Sequence, residues 1–126
     1  MTRNRNFAIL VVEDDPLLLL EAIDMFEDEG FTVYSARNAE TAIRHLERHD
    51  DIRILFTNID MPGSMDGLKL AQAVRDRWPP IRIMVTSGLK GAGKADVPRN
   101  GLFFAKPYHS ADVVRAVERV AAELLD

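Results

Sequence analysis

Phe7-Ala8-Ile9-Leu10-Val11-Val12 is six apolar residues in a row, and Glu13-Asp14-Asp15-Pro16 follows without a spacer. A run this short, rich in β-branched residues and closed by three acids, reads as a strand buried on both faces, the kind found inside parallel sheets. Asp14 or Asp15 can cap a following helix, and Pro16 suits its first turn, where a missing N–H leaves no bond unmade. The spacing predicts a helix over Leu17–Glu29 that stops at Gly30.

The same alternation continues outward. Phe31–Ala36 reads as a second strand. Asn38 caps a helix over about Ala39–Arg48, with Ala39, Ala42, Ile43 and Leu46 at helical spacing. Ile52–Thr57 is a third strand, and a loop holding Pro62, Gly63 and Gly67 leads to a helix Leu68–Trp78 that Pro79-Pro80 ends. Ile81–Thr86 and Leu102–Ala105 are the fourth and fifth strands. Ser110 is read as the cap of a last helix carrying Val113, Val114, Val117, Val120 and Leu124. Strands and helices alternating at these lengths imply one α/β domain spanning residues 1–126, a doubly wound five-stranded parallel sheet with helices on both faces. Between the fourth and fifth strands the stretch Gly88 to Gly101 holds four glycines and Pro98. Gly and Pro are the poorest helix formers, so the fourth of five helices is expected to be short, irregular or absent.

The totals narrow the function. The chain has 126 residues, 47% hydrophobic and 29% charged, with a net charge of −4. That is an ordinary globular composition with no basic excess to meet nucleic acid. There is no cysteine, which excludes disulfides and thiolate metal sites. No apolar stretch is long enough to cross a bilayer, and the acids at 13–15 interrupt anything like a signal peptide, so a cytoplasmic place is expected.

In an open α/β sheet, ligands bind beyond the carboxyl ends of the strands. The residues there are Glu13, Asp14 and Asp15, Asn58 and Asp60, Thr86 and Ser87, and Lys106-Pro107. Carboxylates beside a hydroxyl and a lysine suit a small hard cation together with a phosphoryl group. Taken singly, each has a plainer reading. The acids can simply cap a helix, Thr86-Ser87 can end a strand, and Lys106-Pro107 can be a turn. His45, His49 and His109 lie at irregular spacings on polar faces and read as solvated surface side chains.

Together these motifs resemble the receiver domain of response regulators in two-component signalling. Ile9-Leu10-Val11-Val12-Glu13-Asp14-Asp15-Pro16 looks like that family's opening, and Asp60-Met61-Pro62-Gly63 with Met65-Asp66-Gly67 like its loop after the third strand. Val85-Thr86-Ser87 and Phe103-Phe104-Ala105-Lys106-Pro107 resemble its remaining signatures. Each motif alone is weak. Four in the right order, over Phe7 to Leu125, are strong.

The resemblance implies a flavodoxin-like, CheY-like sheet of order 2-1-3-4-5 and a role for each residue. Glu13 and Asp14 would hold Mg2+ with the backbone carbonyl of Asp60. Thr86 would contact the phosphoryl group, Lys106 would pair with the acceptor site, and Phe103 would be the aromatic switch. Lys106-Pro107 is usually a cis peptide in this family. The implied partners are a sensor histidine kinase and a downstream target or phosphotransfer protein, with homodimerisation a further route; nucleic acid and membrane are not among them. Since the chain ends with its last helix, output is expected through protein contacts, with the surface from Gly88 to Leu102 the suspected face.

Asn58 departs from the pattern, because it falls where the family has its phosphoacceptor aspartate. A neutral amide is a poor nucleophile, so no acyl phosphate is expected there. Its amide oxygen could still ligate Mg2+, weakened by the missing charge. Either aspartate was replaced to lock the domain unphosphorylated, which the otherwise intact pocket favours, or the chain is a natural pseudo-receiver acting purely by binding. Phosphorylation of Asp60 instead is disfavoured, since its side chain should point away from the lysine. A remote alternative is Gly88-Leu89-Lys90-Gly91-Ala92-Gly93-Lys94-Ala95, close to a nucleotide-binding P-loop. Ala95 lacks the magnesium-binding hydroxyl, Pro98 disrupts the helix such a loop needs, and the chain is short for a nucleotide hydrolase. The reading is therefore a phosphorylation-controlled binding module, not a metabolic enzyme.

Overall fold

The computed structural model describes residues 7–59, 67–88 and 101–125. Its elements, in chain order, are β1 (Ala8–Val12), α1 (Pro16–Glu27), β2 (Thr32–Ala36), α2 (Ala39–Arg48), β3 (Ile52–Asn58), α3 (Gly67–Arg77), β4 (Arg82–Ser87), β5 (Leu102–Ala105) and α4 (Ser110–Leu125). The five strands form one parallel sheet of order β2-β1-β3-β4-β5. This is the expected doubly wound arrangement. The expected helix between β4 and β5 falls on residues 89–100, outside the described residues, as does the loop 60–66.

Two apolar cores follow from the alternation of side chains along β1. Ala8, Leu10 and Val12 point to one face, where α2 and α3 contribute Ala39, Ala42, Leu46, Leu70, Ala71 and Val74. Ile9 and Val11 point to the other, where α1 and α4 contribute Leu19, Ala22, Phe26, Val113, Val117 and Val120. Every residue of β1 is buried, which is why this strand could not show a polar-apolar alternation in sequence. The β1–β3 register shifts between Ala8 and Ile9, so Ala8 pairs with Ile52 but Ile9 with Ile54. Ile52 and Ile54 accordingly enter opposite cores.

The helix ends show local chemistry at work. Asp15 is the cap of α1, its side chain accepting from the N–H groups of Leu17 at 2.9 Å and Leu18 at 3.2 Å. The helix closes at Glu27 rather than Glu29. The N–H of Gly30 bonds to the carbonyl of Glu27, and that of Phe31 reaches back to Phe26. Gly30 takes φ 86°, a conformation that disfavours any Cβ, so the glycine is what lets the chain turn into β2. Asn38 caps α2 by accepting from Thr41 N–H at 2.8 Å. The assignment of Ser110 as a cap needs correction. Ser110 is the first residue of α4, because the carbonyl of His109, one position earlier, accepts from the N–H groups of Asp112 and Val113.

The histidines also differ from expectation. His45 and His49 are half-buried and stack with Tyr34, at centroid distances of 5.6 and 4.0 Å from its ring. His45 Nε2 lies 2.9 Å from the carbonyl oxygen of Ser35. One helical turn separates the two, so both lie over the same tyrosine of the neighbouring strand. Only His109 is exposed as expected. Among the described residues no helix is long and apolar enough to cross a membrane.

One close approach ties the fold to its functional edge. Gly67 begins α3 in a buried position, where a Cβ would overlap the backbone carbonyl oxygen of Asn58 and lie 2.5 Å from Ile59 Cα. Backbone cannot yield as a flexible side chain can. Gly67→Ala is therefore expected to destabilise the protein by about 2–4 kcal/mol, at the upper end of overpacking costs. Urea denaturation reads this as a lower midpoint at unchanged slope.

Candidate functional site

All five parallel strands end at one rim of the sheet, and four of them carry the candidate residues there. The chain leaves β1 through α1 to β2 on one side, then returns through α2 to β3 on the other. The crevice therefore opens beyond the carboxyl ends of β1 and β3, where strand order reverses. Glu13 and Asp14 follow β1, Asn58 ends β3 opposite Thr86 in β4, and Lys106 follows β5. The rim is held by backbone bonds from Ile59 N–H to Thr86 O at 3.0 Å and from Lys106 N–H to Ser87 O at 2.8 Å.

Its centre is the Glu13 carboxylate, only 6% exposed. Lys106 Nζ donates to Glu13 Oε1 at 3.0 Å. Asn58 Nδ2 and the Asp15 N–H donate to Oε2, each at 3.1 Å. Asn58 Nδ2 also donates to Asp14 Oδ1 at 3.3 Å. An ionised carboxylate only accepts, and an amide nitrogen carries two hydrogens, so the nitrogen is the end of Asn58 suited to face both acids. The sequence led to the opposite expectation, an amide oxygen turned towards a metal. Lys106, expected to pair with the acceptor position, donates to Glu13 beside it.

The remaining predicted residues fall as follows. Thr86 is 2% exposed beside Asn58. Phe103 is half-buried against the core cluster that includes Ile83 and Val85. The peptide between Lys106 and Pro107 is cis, as the resemblance implied. Asp60 lies outside the described residues, and so does the glycine-rich loop beyond Gly88.

Two contributors were not singled out in the sequence. Arg37, just past β2, donates from Nη2 to the backbone carbonyl of Asp14 at 3.2 Å, steadying the acidic loop from the sheet's edge. Tyr108 stands edge-on to Phe56 at a centroid distance of 5.9 Å, and it lines a groove of about 490 Å³ with Glu13, Leu18, Met25 and Lys106. Its place two residues after Lys106 was the available signal. Burial, then the nearby charges of Glu13 and Glu21, push the Tyr108 hydroxyl above its ordinary range.

Magnesium prefers oxygen ligands from one or two carboxylates plus waters. Here the two carboxylates already share an N–H donor, and a lysine occupies the second oxygen of one. Among the described residues no three His, Cys, Asp or Glu side chains are grouped to hold a metal. In this arrangement the donor set does not fit the cation.

The model for the response regulator receiver domain matches residues 9–118. The response regulator receiver protein CpdR of Brucella abortus is 30% identical over 115 residues, covering 89% of this chain and 94% of CpdR. The nitrogen assimilation regulatory protein NtrX of Azorhizobium caulinodans is 28% identical over 120 residues, but the chain spans only 26% of it. Among solved structures, a response regulator receiver protein from Sinorhizobium medicae superposes with TM-score 0.84 at 26% identity, covering 92% of this chain and 94% of that one. A CheY-like receiver domain protein from Methanospirillum hungatei, at 21% identity and TM-score 0.82, shares the fold.

Two outcomes test this geometry. Lys106→Ala removes one charged partner of a buried carboxylate and is expected to lower unfolding free energy by about 1–2 kcal/mol, read by urea denaturation. Tyr108 has a raised pKa in the folded state, so its contribution is complete below the unfolded tyrosine value of 10.0 and is lost as pH rises through the higher folded value. Ultraviolet difference titration should show this late ionisation, and Glu21→Gln should move it towards the ordinary value.

Proposed function

Since the chain belongs to the response regulator receiver family, we propose that it is a relay module whose acceptor position is held by Asn58, which keeps it unphosphorylated, and that it signals by protein contacts. Receiver domains are generally signalling modules rather than enzymes, and they interact with histidine kinases and with downstream effector domains. The observation that carries the reading is the position of Asn58. It ends the central strand β3, 4% exposed, between the two acids that follow β1 and level with Thr86.

The chemistry of such a site runs through a carboxylate. With aspartate at position 58, one carboxylate oxygen attacks phosphorus of the donor, the bond to the leaving group breaks (P–N to the imidazole of a phosphohistidine, P–O in acetyl phosphate), and an acyl phosphate forms. The neutral nitrogen and oxygen of Asn58 supply no such nucleophile. Thr86, buried beside position 58, is the hydroxyl placed to meet a phosphoryl oxygen, and Lys106 is the cation placed to neutralise its charge. Phe103 would change its packing with state, since it is only half-seated against the core. With aspartate at position 58, Glu13, Asp14 and the Asp60 carbonyl would be the residues to hold Mg2+, which would neutralise the acids and the incoming phosphoryl oxygens; with Asn58 in place the donor set does not fit it.

Contacts with partners have a candidate surface beside the pocket. Leu17, Leu18 and Leu20 of α1 are exposed at 65%, 37% and 58%, and Leu18 borders the groove that reaches Lys106 and Tyr108. A kinase or phosphotransfer helix seated there would bring its phosphohistidine to the rim. Leu102 on β5, one of the two edge strands, marks a second surface for a target or a further copy of the chain. The net negative charge and missing cysteines fit a cytoplasmic place without nucleic-acid contact.

A second reading, a receiver that acts solely through unphosphorylated binding, is favoured by the way the Asn58 amide already joins both acids. Intact-protein mass after incubation with Mg2+ and acetyl phosphate separates the two. The chain should gain nothing and its Asn58→Asp variant one phosphoryl group. If the variant gains none, the pocket is silent for reasons beyond position 58 and the second reading stands.

A further inference from the structure

Taking position 58 as the acceptor, we infer that Asn58 and Lys106 together replace the divalent cation of this pocket, so that the acids stay paired with no metal and Mg2+ is largely excluded. The geometry carries the claim. A cation in such a site would sit between Glu13 and Asp14 and cancel their repulsion. That place is filled by Asn58 Nδ2, 3.1 Å from Glu13 Oε2 and 3.3 Å from Asp14 Oδ1, one hydrogen for each acid. The other oxygen of Glu13 is taken by the ammonium of Lys106 at 3.0 Å. Both sides of the buried carboxylate thus meet donors that belong to the chain.

Charge makes the same point. Glu13, Asp14 and Lys106 sum to one negative charge, whereas aspartate at 58 would raise this to two and replace a donor by a third acceptor. Three carboxylates around one lysine leave like charges facing each other, and an added cation relieves them. With asparagine the need is absent. For Mg2+ to enter, Asn58 must turn its amide over, breaking two hydrogen bonds. Lys106 must also yield Glu13, and the cation must shed tightly held water for a weaker site.

The device joins distant parts of the chain. Asn58 bonds acids 45 and 44 residues earlier, and Lys106 one 93 residues earlier. These side-chain bonds are added to the backbone pairing at the carboxyl ends of β1 and β3 and in the segment after β5. A receiver of this kind would hold one arrangement of its rim regardless of the cellular Mg2+ level.

The test compares the chain with its Asn58→Asp and Asn58→Ala variants at constant ionic strength. Thermal unfolding is followed from EDTA to about 10 mM Mg2+, a range that would fill an ordinary weak magnesium site, and Mn2+ binding is read from the paramagnetic resonance of the free ion. The chain's melting temperature should stay flat. Asn58→Asp should melt lower in EDTA, recover saturably with Mg2+, and bind Mn2+ at least about tenfold more tightly than the chain, as expected for one added carboxylate facing the ion. Asn58→Ala should melt lower than the chain and also bind Mn2+ more tightly, because the amide no longer fills the site. Saturable Mg2+ stabilisation of the chain itself, or Mn2+ affinity within threefold of both variants, overturns the inference and needs no variant to refold from a damaged state. The outcomes also separate this claim from the receiver reading. If Asn58→Asp takes a phosphoryl group while the chain binds Mg2+ equally well, only the inference fails. If the chain excludes Mg2+ and Asn58→Asp still takes no phosphoryl group, only the receiver reading fails.

Discussion

A buried carboxylate at the end of β1 is the constraint around which the functional edge of this protein is built. Glu13 is 6% exposed, and an ionised acid removed from water must find hydrogen-bond donors or lose its charge. Its donors come from three directions: the Asp15 N–H at the start of α1, the Asn58 amide at the end of β3, and the Lys106 ammonium after β5. No two of them are neighbours in sequence. Satisfying one charge therefore requires the sheet order, the strand lengths and the approach after β5 to be right together.

The rest of the molecule serves that requirement by being rigid and apolar. β1 is buried along its whole length between two cores, and from its interior place beside β3 its end is met by side chains from β3 and from the segment after β5. The approach of α3 is equally constrained. Gly67 brings the helix start against the carbonyl of Asn58, so the strand that presents the amide is backed by another element. Arg37 secures Asp14 from β2 through its backbone carbonyl, leaving the Asp14 side chain to face Asn58. Position is thus fixed by packing, and among the described residues the buried polar side chains, Glu13, Thr57, Asn58, Thr86 and Ser87, gather towards one rim.

Much of this was legible in the sequence, and for physical reasons. Short apolar runs bounded by acids, glycine or proline announce buried parallel strands, and Asp15 and Asn38 announce helix starts because their side chains match unpaired N–H groups. The set Glu13, Asp14, Asn58, Thr86 and Lys106 was legible because strand ends in a doubly wound sheet converge. What escaped was pairing within the set. A sequence gives residue types at a rim, but not which end of an amide faces an acid, nor that Lys106 reaches Glu13. The Tyr34, His45 and His49 stack escaped likewise, since it depends on a strand and the following helix meeting side by side. The cap of α4 was misplaced by one residue because the backbone carbonyl of His109, not the hydroxyl of Ser110, takes the first-turn amides.

A switch needs an arrangement that is incompletely satisfied until its signal arrives, because a ligand shifts an equilibrium only by its differential affinity for the two states. In the proposed reading an acceptor aspartate provides that deficit. It adds a charge that the pocket's own lysine cannot balance, and metal and phosphoryl group are then drawn in. Asn58 removes the deficit by turning an acceptor into a donor at the same position. The pocket gains internal satisfaction and loses the imbalance on which a phosphoryl signal would act. On that argument the asparagine does more than delete a nucleophile. It sets the resting arrangement of the rim, and any partner that reads this protein reads that arrangement.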